Sequence, residues 1–514
     1  MIARRKEVYM NINEAKEEVK NAVRAYLEKD DAGQFEIPVE RQRPILLMGP
    51  PGIGKTAIME QIAREMGINL VSYTITHHTR QSAIGLPKIS EKKYDGKTCS
   101  VTEYTMSEII GAVYDQIERS GIKEGILFLD EINCVSETLA PTMLQFLQYK
   151  TFGRHAVPEG WIIVTAGNPP EYNRSVREFD VATLDRLKVI SVEPDLKVWR
   201  EYASGRNIHG AVLGYLEVKK DDFYVMEMSP EGRSYVTARG WEDLSDMLLL
   251  CDEEEIETDE SLISQYLRCD RVAKDFAAYL DMYKKYKKDY RIADILAGNP
   301  PPQVFARASE AGFDEKLSVL GMLLDAVNAD MRSVMEKADM ISSVTPVLRA
   351  VKNKAGEGAG FEDAIAVLKS ASDAAAKRLH DLKAAGALSD QDRKKLKGSA
   401  ALYDDMIRAC NAAACADGNA VFTVASGIYE KKVHALKTES DNTGAKLSNM
   451  IAFVREAYDG GNEPVILAAR LTSDPWSSRF IGTFGSSDYE TLSKDMELSE
   501  RGNDLKEQIL KLDL

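Results

Sequence analysis

The run Gly49-Pro-Pro-Gly-Ile-Gly-Lys55-Thr56 constrains this chain more than any other stretch. A short apolar segment, Ile45-Leu-Leu-Met48, precedes it, and Ala57-Ile-Met-Glu-Gln-Ile-Ala-Arg64 follows with apolar residues at helical spacing. Strand, loop and helix in that order, with G-x-x-x-x-G-K-[ST] in the loop, form a phosphate cradle: the glycines let successive N–H groups turn inward, and the helix presents its positive end. The expected cradle is Gly49, Pro50, Pro51, Gly52, Ile53, Gly54, Lys55, Thr56 and Ala57, with Lys55 at the β- and γ-phosphates and Thr56 at Mg²⁺. A glycine-rich turn with an incidental lysine is the competing reading. The strand before and the helix after weigh against it.

At 514 residues the chain exceeds one core, and ordinary domain sizes suggest about three units. A formal net charge of -15 and a pI near 5.2 disfavour a protein whose main task is wrapping nucleic acid. The charged N-terminal residues lead into no apolar segment of signal-peptide type, and no run reaches the length of a membrane span. The six cysteines include no C-x-x-C pair, so a reducing cytoplasm is expected and a zinc site is not. His77 and His78 are adjacent in a strand-like run and are expected on opposite faces, away from metal chemistry.

Residues 11–27 read as a lead-in helix, within an N-terminal segment of residues 1–35. Leu70-Val-Ser-Tyr-Thr-Ile-Thr76 alternates and is rich in β-branched residues, which predicts a second strand. Between residues 87 and 105, Asp95-Gly96 separates two strand-like runs, a strong signal for a projecting hairpin. Gly125-Ile-Leu-Phe-Leu129 has the length and apolarity of a strand buried on both faces, and it ends in Asp130-Glu131. Two carboxylates there, downstream of a phosphate loop, suit a Mg²⁺ ligand at Asp130 and a base orienting the attacking water at Glu131. A solvated acidic turn is the alternative. Trp161-Ile-Ile-Val-Thr-Ala-Gly167 predicts a further strand, ending at Asn168-Pro-Pro170. Asn168 would sit beside the attacking water if its strand lies between the first two motifs, although Asn-Pro also starts ordinary turns. Leu187 to Val192 supplies a fifth strand. Alternating strands and helices imply a parallel five-stranded sheet, an α/β P-loop fold with ligands at the carboxyl ends of the strands.

At this point the sequence resembles the AAA+ ATPases, and among them the MoxR group with its relatives acting on nitric oxide reductase and Rubisco. The resemblance rests on Gly49 to Thr56, Leu127-Phe-Leu-Asp-Glu-Ile-Asn133, Thr165-Ala-Gly-Asn-Pro169, Leu184-Asp-Arg186 and Ala238-Arg239, and covers roughly residues 36–250. It implies that Asn168 is the polar sensor, that Arg186 reaches the nucleotide of a neighbouring subunit, and that Arg239 is the second sensor. Ordinary salt bridges compete with both arginine roles. Cys134 and Leu187 depart from the arginine and aromatic common in relatives, so Arg174 and Arg177 stand as alternative trans-acting residues.

The implied organisation is a nucleotide-binding domain at 36–195 with its hairpin insert, a small helical lid at 196–260, and an all-helical region at 261–514. The basic run Tyr283-Lys-Lys-Tyr-Lys-Lys-Asp-Tyr290 reads as a charged helix face rather than a nucleic-acid surface, and Trp476, Phe480 and Phe484 as core. The resemblance implies an ATPase using ATP and Mg²⁺ in a ring, expected to be a hexamer, that remodels a protein client with a von Willebrand factor A domain partner. The competing expectations are a nucleotide-gated scaffold with little turnover and a nucleic-acid-linked NTPase of the same clade, which DNA-stimulated hydrolysis or a preference for GTP would distinguish.

Overall fold

The computed structural model describes residues 9–77, 85–95, 97–172, 176, 179–206, 208–229, 232–384 and 388–494. They divide into two compact units, Met1–Val198 with Asp381–Leu388, and Trp199–His380 with Ser389–Leu514.

The first unit is built on a parallel sheet. Its strands are β1 (Tyr9–Met10), β2 (Ile45–Met48), β3 (Asn69–Thr74), β6 (Gly125–Asp130), β9 (Trp161–Gly167) and β10 (Lys188–Val192), in the order β1-β10-β2-β9-β6-β3. Strand β2 and every residue of β9 are largely or wholly buried, as expected of parallel strands covered on both faces. The register sets the strand ends level: Met48 pairs with Gly167, and Leu129 with Thr165.

The sheet thus has six strands among the described residues, where five were expected. The additional strand, β1, is two residues long and pairs Tyr9 with Ser191 and Met10 with Val192. Two residues carry no alternation, so no periodicity announces them. The histidine expectation also changes: β3 ends at Thr74, Ile75–His77 turns into a single 3₁₀ turn, and His78 lies outside the described residues.

Helices α1 (Ile12–Leu27), α2 (Lys55–Met66), α3 (Glu108–Ser120), α4 (Ala140–Tyr149) and the short α5 (Val181–Leu184) connect the strands. Asn11 starts α1 with a full capping box to Glu14, and Lys16 and Lys20 of α1 both reach Glu65 of α2 at 2.6 Å. Those two ammonium groups hold the Glu65 carboxyl below its ordinary range. The strands β4 (Pro87–Tyr94) and β5 (Lys97–Tyr104) form a separate hairpin in antiparallel register, with Asp95 at a φ of 51° in the turn. A smaller hairpin, β7 (Thr151–Phe152) with β8 (His155–Ala156), braces it: Arg154 pairs with Glu103 and His155 meets the Tyr104 carbonyl at 3.2 Å.

The second unit begins with α6 (Leu196–Ser204), which starts in the first, then α7 (Gly210–Val218), the antiparallel pair β11 (Val225–Ser229) and β12 (Gly232–Val236), and α8 (Ala238–Glu253). The segment expected as a small helical lid thus carries a short hairpin between its helices. Neither Val225-Met-Glu-Met-Ser229 nor Gly232-Arg-Ser-Tyr-Val236 alternates strictly between apolar and polar residues, so no strand period marks them.

The remainder is helical: α9 (Glu260–Tyr266), α10 (Asp270–Asp289), α11 (Ile292–Leu296), α12 (Pro302–Glu310), α13 (Phe313–Gly356), α14 (Phe361–Ala384), α15 (Asp390–Ala412), α16 (Gly418–Ala457), α17 (Glu463–Ser473) and α18 (Pro475–Phe484). At 44 residues α13 spans about 65 Å and carries Pro346 inside it. Val344, Leu348 and Val351 of α13 share one core with Ile365 and Leu368 of α14, Met406 and Cys410 of α15, and Val421 of α16, which makes these four helices a bundle. Tyr283 and Tyr290 are buried, so the basic run presents lysines outward and tyrosines inward. Trp476 and Phe480 are buried as well, whereas Phe484 is 40% exposed. Among the described residues no helix is long and apolar enough to cross a membrane.

Candidate nucleotide site

The carboxyl ends of β2, β9 and β6 lie side by side, and each delivers a polar group to one place. The loop after β2 brings Lys55, the first residue of α2. Two glycines allow that turn: Gly52 and Gly54 sit at φ of 76° and 93°, where a side chain is strained. Gly49 has a different constraint, because a Cβ there would lie 2.6 Å from the Val192 carbonyl of β10.

Lys55 is only 8% exposed, and a lysine so buried needs acceptors. Its Nζ donates to the carbonyls of Gly49 and Pro50, both at 2.7 Å, and to Asn168 Oδ1 at 2.9 Å. The position of Asn168 follows from strand order, since β9 lies between β2 and β6 as the sequence argument required.

Thr56 Oγ1 donates to Asp130 Oδ2 at 3.1 Å, joining the start of α2 to the end of β6. A hydroxyl and a carboxylate at hydrogen-bond distance, beside a positive helix end, are hard oxygen donors of the kind Mg²⁺ takes. Glu131 adopts a left-handed conformation with a φ of 56°, a rare one for a residue with a side chain. Its amide donates to Asp130 Oδ1 at 2.8 Å, and its Oε2 accepts from Thr76 Oγ1 at 3.0 Å. Cys134 lies one turn on, its thiol pushed up first by burial and then by the Glu131 and Asp130 carboxylates.

The arginines are placed differently. Arg186 is exposed at the end of α5, donating to the Ala182 carbonyl at 3.3 Å. The Asp180 carboxyl is held low chiefly by the Thr183 hydroxyl and amide, with Arg186 contributing. Arg239 is exposed in the first turn of α8, whose Thr237 cap accepts from the Gly240 amide at 3.2 Å, and it belongs to the second unit. Arg174 and Arg177 lie outside the described residues.

Two residues at the site carried no role in the sequence argument. Thr76 follows β3, whose Thr74 pairs with Asp130, so the adjacency of β3 and β6 brings it to Glu131. Asn133 is buried and bonded to the backbone of Asn168. It stood in plain view two residues after Glu131, but only the pairing of β6 with β9 shows what it touches.

A parallel sheet with a glycine cradle, a buried lysine and a Thr-Asp oxygen pair at the strand ends defines a P-loop nucleotide-binding fold. Residues 45–182 match the model of the ATPase family associated with various cellular activities (AAA), and the chain therefore carries an AAA ATPase domain. Among curated proteins none matches. Among solved structures, the chain is similar to a protein described as a candidate ATPase from Cytophaga hutchinsonii, at 18% identity and TM-score 0.22, over 37% of this chain and 54% of that one. It is also similar to a single-substitution variant of RuvB from Thermotoga maritima, at 17% identity and TM-score 0.23, over 39% and 53%. The chain spans about half the length of these structures.

Proposed function

We propose that the chain hydrolyses ATP with Mg²⁺ in a ring of its own copies, a MoxR-type hexamer, and uses the cycle to remodel, assemble or activate a protein client together with a von Willebrand factor A domain partner. The observation that carries the ATPase reading is the convergence of Lys55, Asn168, Thr56 and Asp130 at three adjacent strand ends. In this reading the backbone N–H groups of residues 49–57, except at Pro50 and Pro51, which have none, bind the β- and γ-phosphates together with the Lys55 ammonium. Thr56 and Asp130 are the residues that hold Mg²⁺, which supplies charge neutralisation at the phosphates. Glu131 orients the attacking water and accepts its proton, and Asn168 keeps that water in line.

Arg186 would act on the nucleotide of the next subunit, and its exposure fits a group offered to a neighbour. Arg239 would be the second sensor, residues 196–260 a lid, and residues 261–514 the client-facing region.

Turnover of ATP should fall roughly a hundredfold or more in Lys55→Ala and in Glu131→Gln, while Glu131→Gln still binds a fluorescent ATP analogue. Unchanged turnover in both variants sinks the ATPase reading. The ATP-loaded Glu131→Gln protein is then the bait for a client, and retrieval of a von Willebrand factor A domain protein supports the finer assignment.

A further inference from the structure

Asn133 lies on the single 3₁₀ turn Ile132–Cys134 and is 3% exposed. Its Nδ2 donates to the backbone carbonyl of Asn168 at 2.8 Å, and Asn168 in turn receives the Lys55 ammonium on Oδ1 at 2.9 Å. Two hydrogen bonds thus run in series from the end of β6, across the end of β9, to the phosphate-loop lysine. The other end of the amide behaves differently. Asn133 Oδ1 is buried without a hydrogen-bond partner, and the whole amide lies against Gly167: a Cβ built on that glycine would be 2.8 Å from Oδ1, 2.9 Å from Cγ and 3.1 Å from Nδ2.

Only one orientation of the amide suits this place. Turning it over would set its oxygen against the Asn168 carbonyl oxygen and lose the hydrogen bond between them. A buried acceptor left unsatisfied is unfavourable, and a glycine is needed at the end of β9 to leave room for the amide. Both features occur at Asn133 and Gly167, and what they achieve together is a fixed grip on the peptide that carries Asn168.

We propose that Asn133 is a positioning residue for the hydrolysis described above: by holding the Asn168 carbonyl it sets the rotation of that peptide and so aims the Asn168 side chain. The inference rests on the ATPase reading and asks for no contact between Asn133 and nucleotide. Asn133→Asp is the discriminating change, because it keeps the shape, removes the donor and opposes two oxygens.

The experiment compares the full-length parent, Asn133→Asp, Asn168→Ala and the double variant, measuring kcat and KM for ATP and the affinity for a fluorescent ATP analogue. Asn133→Asp is expected to lower kcat about tenfold or more with KM within about threefold, and to cost less than about twofold in the Asn168→Ala background, where no side chain remains to aim. Gly167→Ala, whose Cβ would crowd the Asn133 amide at 2.8 Å from Oδ1 and 3.1 Å from Nδ2, is expected to give the same pattern and serves if Asn133→Asp does not fold. Parent-like turnover in these variants, or losses that multiply in the double variant, overturns the positioning role alone. Absence of turnover in the parent overturns the ATPase reading and this inference with it.

Discussion

Asp325 of α13 is a carboxyl set among side chains of opposite tendencies. Tyr283 Oη lies 3.5 Å from it, Arg470 and Lys287 draw it toward ionisation, and Asp474 opposes them. Burial outweighs the rest and pushes its pKa up to about 7 from the ordinary aspartate value of about 4. The folded chain therefore holds more protons than the unfolded chain between those values, so this residue's contribution to stability is present at low pH and is lost as pH rises from about 4 to about 7. Asp325→Asn removes that dependence. Its melting temperature should gain on the parent's between pH 5 and pH 8, and parallel curves would count against the assignment. No sequence pattern reveals such a residue, because its neighbours come from helices more than forty positions apart. Site residues sort the same way. Lys55, Thr56, Asp130 and Glu131 are legible because loop chemistry or strand-end carboxylates act locally in sequence, whereas Thr76 and Asn133 gain partners only through strand adjacency.

At the scale of elements, α7 shows a device the composition hides. Gly210 and Gly214 occupy one face of it, and side chains from α10 and α13 press against that face. A Cβ on Gly210 would meet Asp325 Oδ2 at 1.7 Å and Tyr283 Oη at 2.5 Å, and one on Gly214 would meet Tyr279 Oη at 2.5 Å. Overpacking of this kind costs typically 1–3 kcal/mol, and Gly210→Ala should cost about that much, Gly214→Ala less. Urea unfolding measures both, and a Gly210→Ala protein as stable as the parent would show that α7 shifts freely. Strands β6 and β9 were legible because each is a nearly continuous apolar run. Other elements broke their own signals. Helix α13 runs through Pro346, which reads as a stop. Strand β1 is shorter than the window in which a period can be recognised, and β11 and β12 lack strict alternation.

At the scale of the whole molecule, the proposed ring makes a prediction no single subunit can satisfy. A heterologous interface would place Arg186 of one copy at the nucleotide of the next. Lys55→Ala and Arg186→Ala proteins, each inactive alone, should then regain turnover when mixed, up to roughly a quarter of the parent's if subunits combine at random. Mixtures no more active than their components would remove the trans role of Arg186. The order of the sheet bears also on how the ribosome delivers this chain. Strand β2, which carries the phosphate loop, pairs on one side with β9 and on the other with β10, so residues 45–48 have no strand partner until residues 161–167 and then 188–192 emerge. Pairing over such separations is slow. During synthesis Ile45-Leu-Leu-Met48 is a bare apolar segment waiting for the rest of its sheet, a natural target for holding chaperones and the point at which a truncated translation product would begin to aggregate.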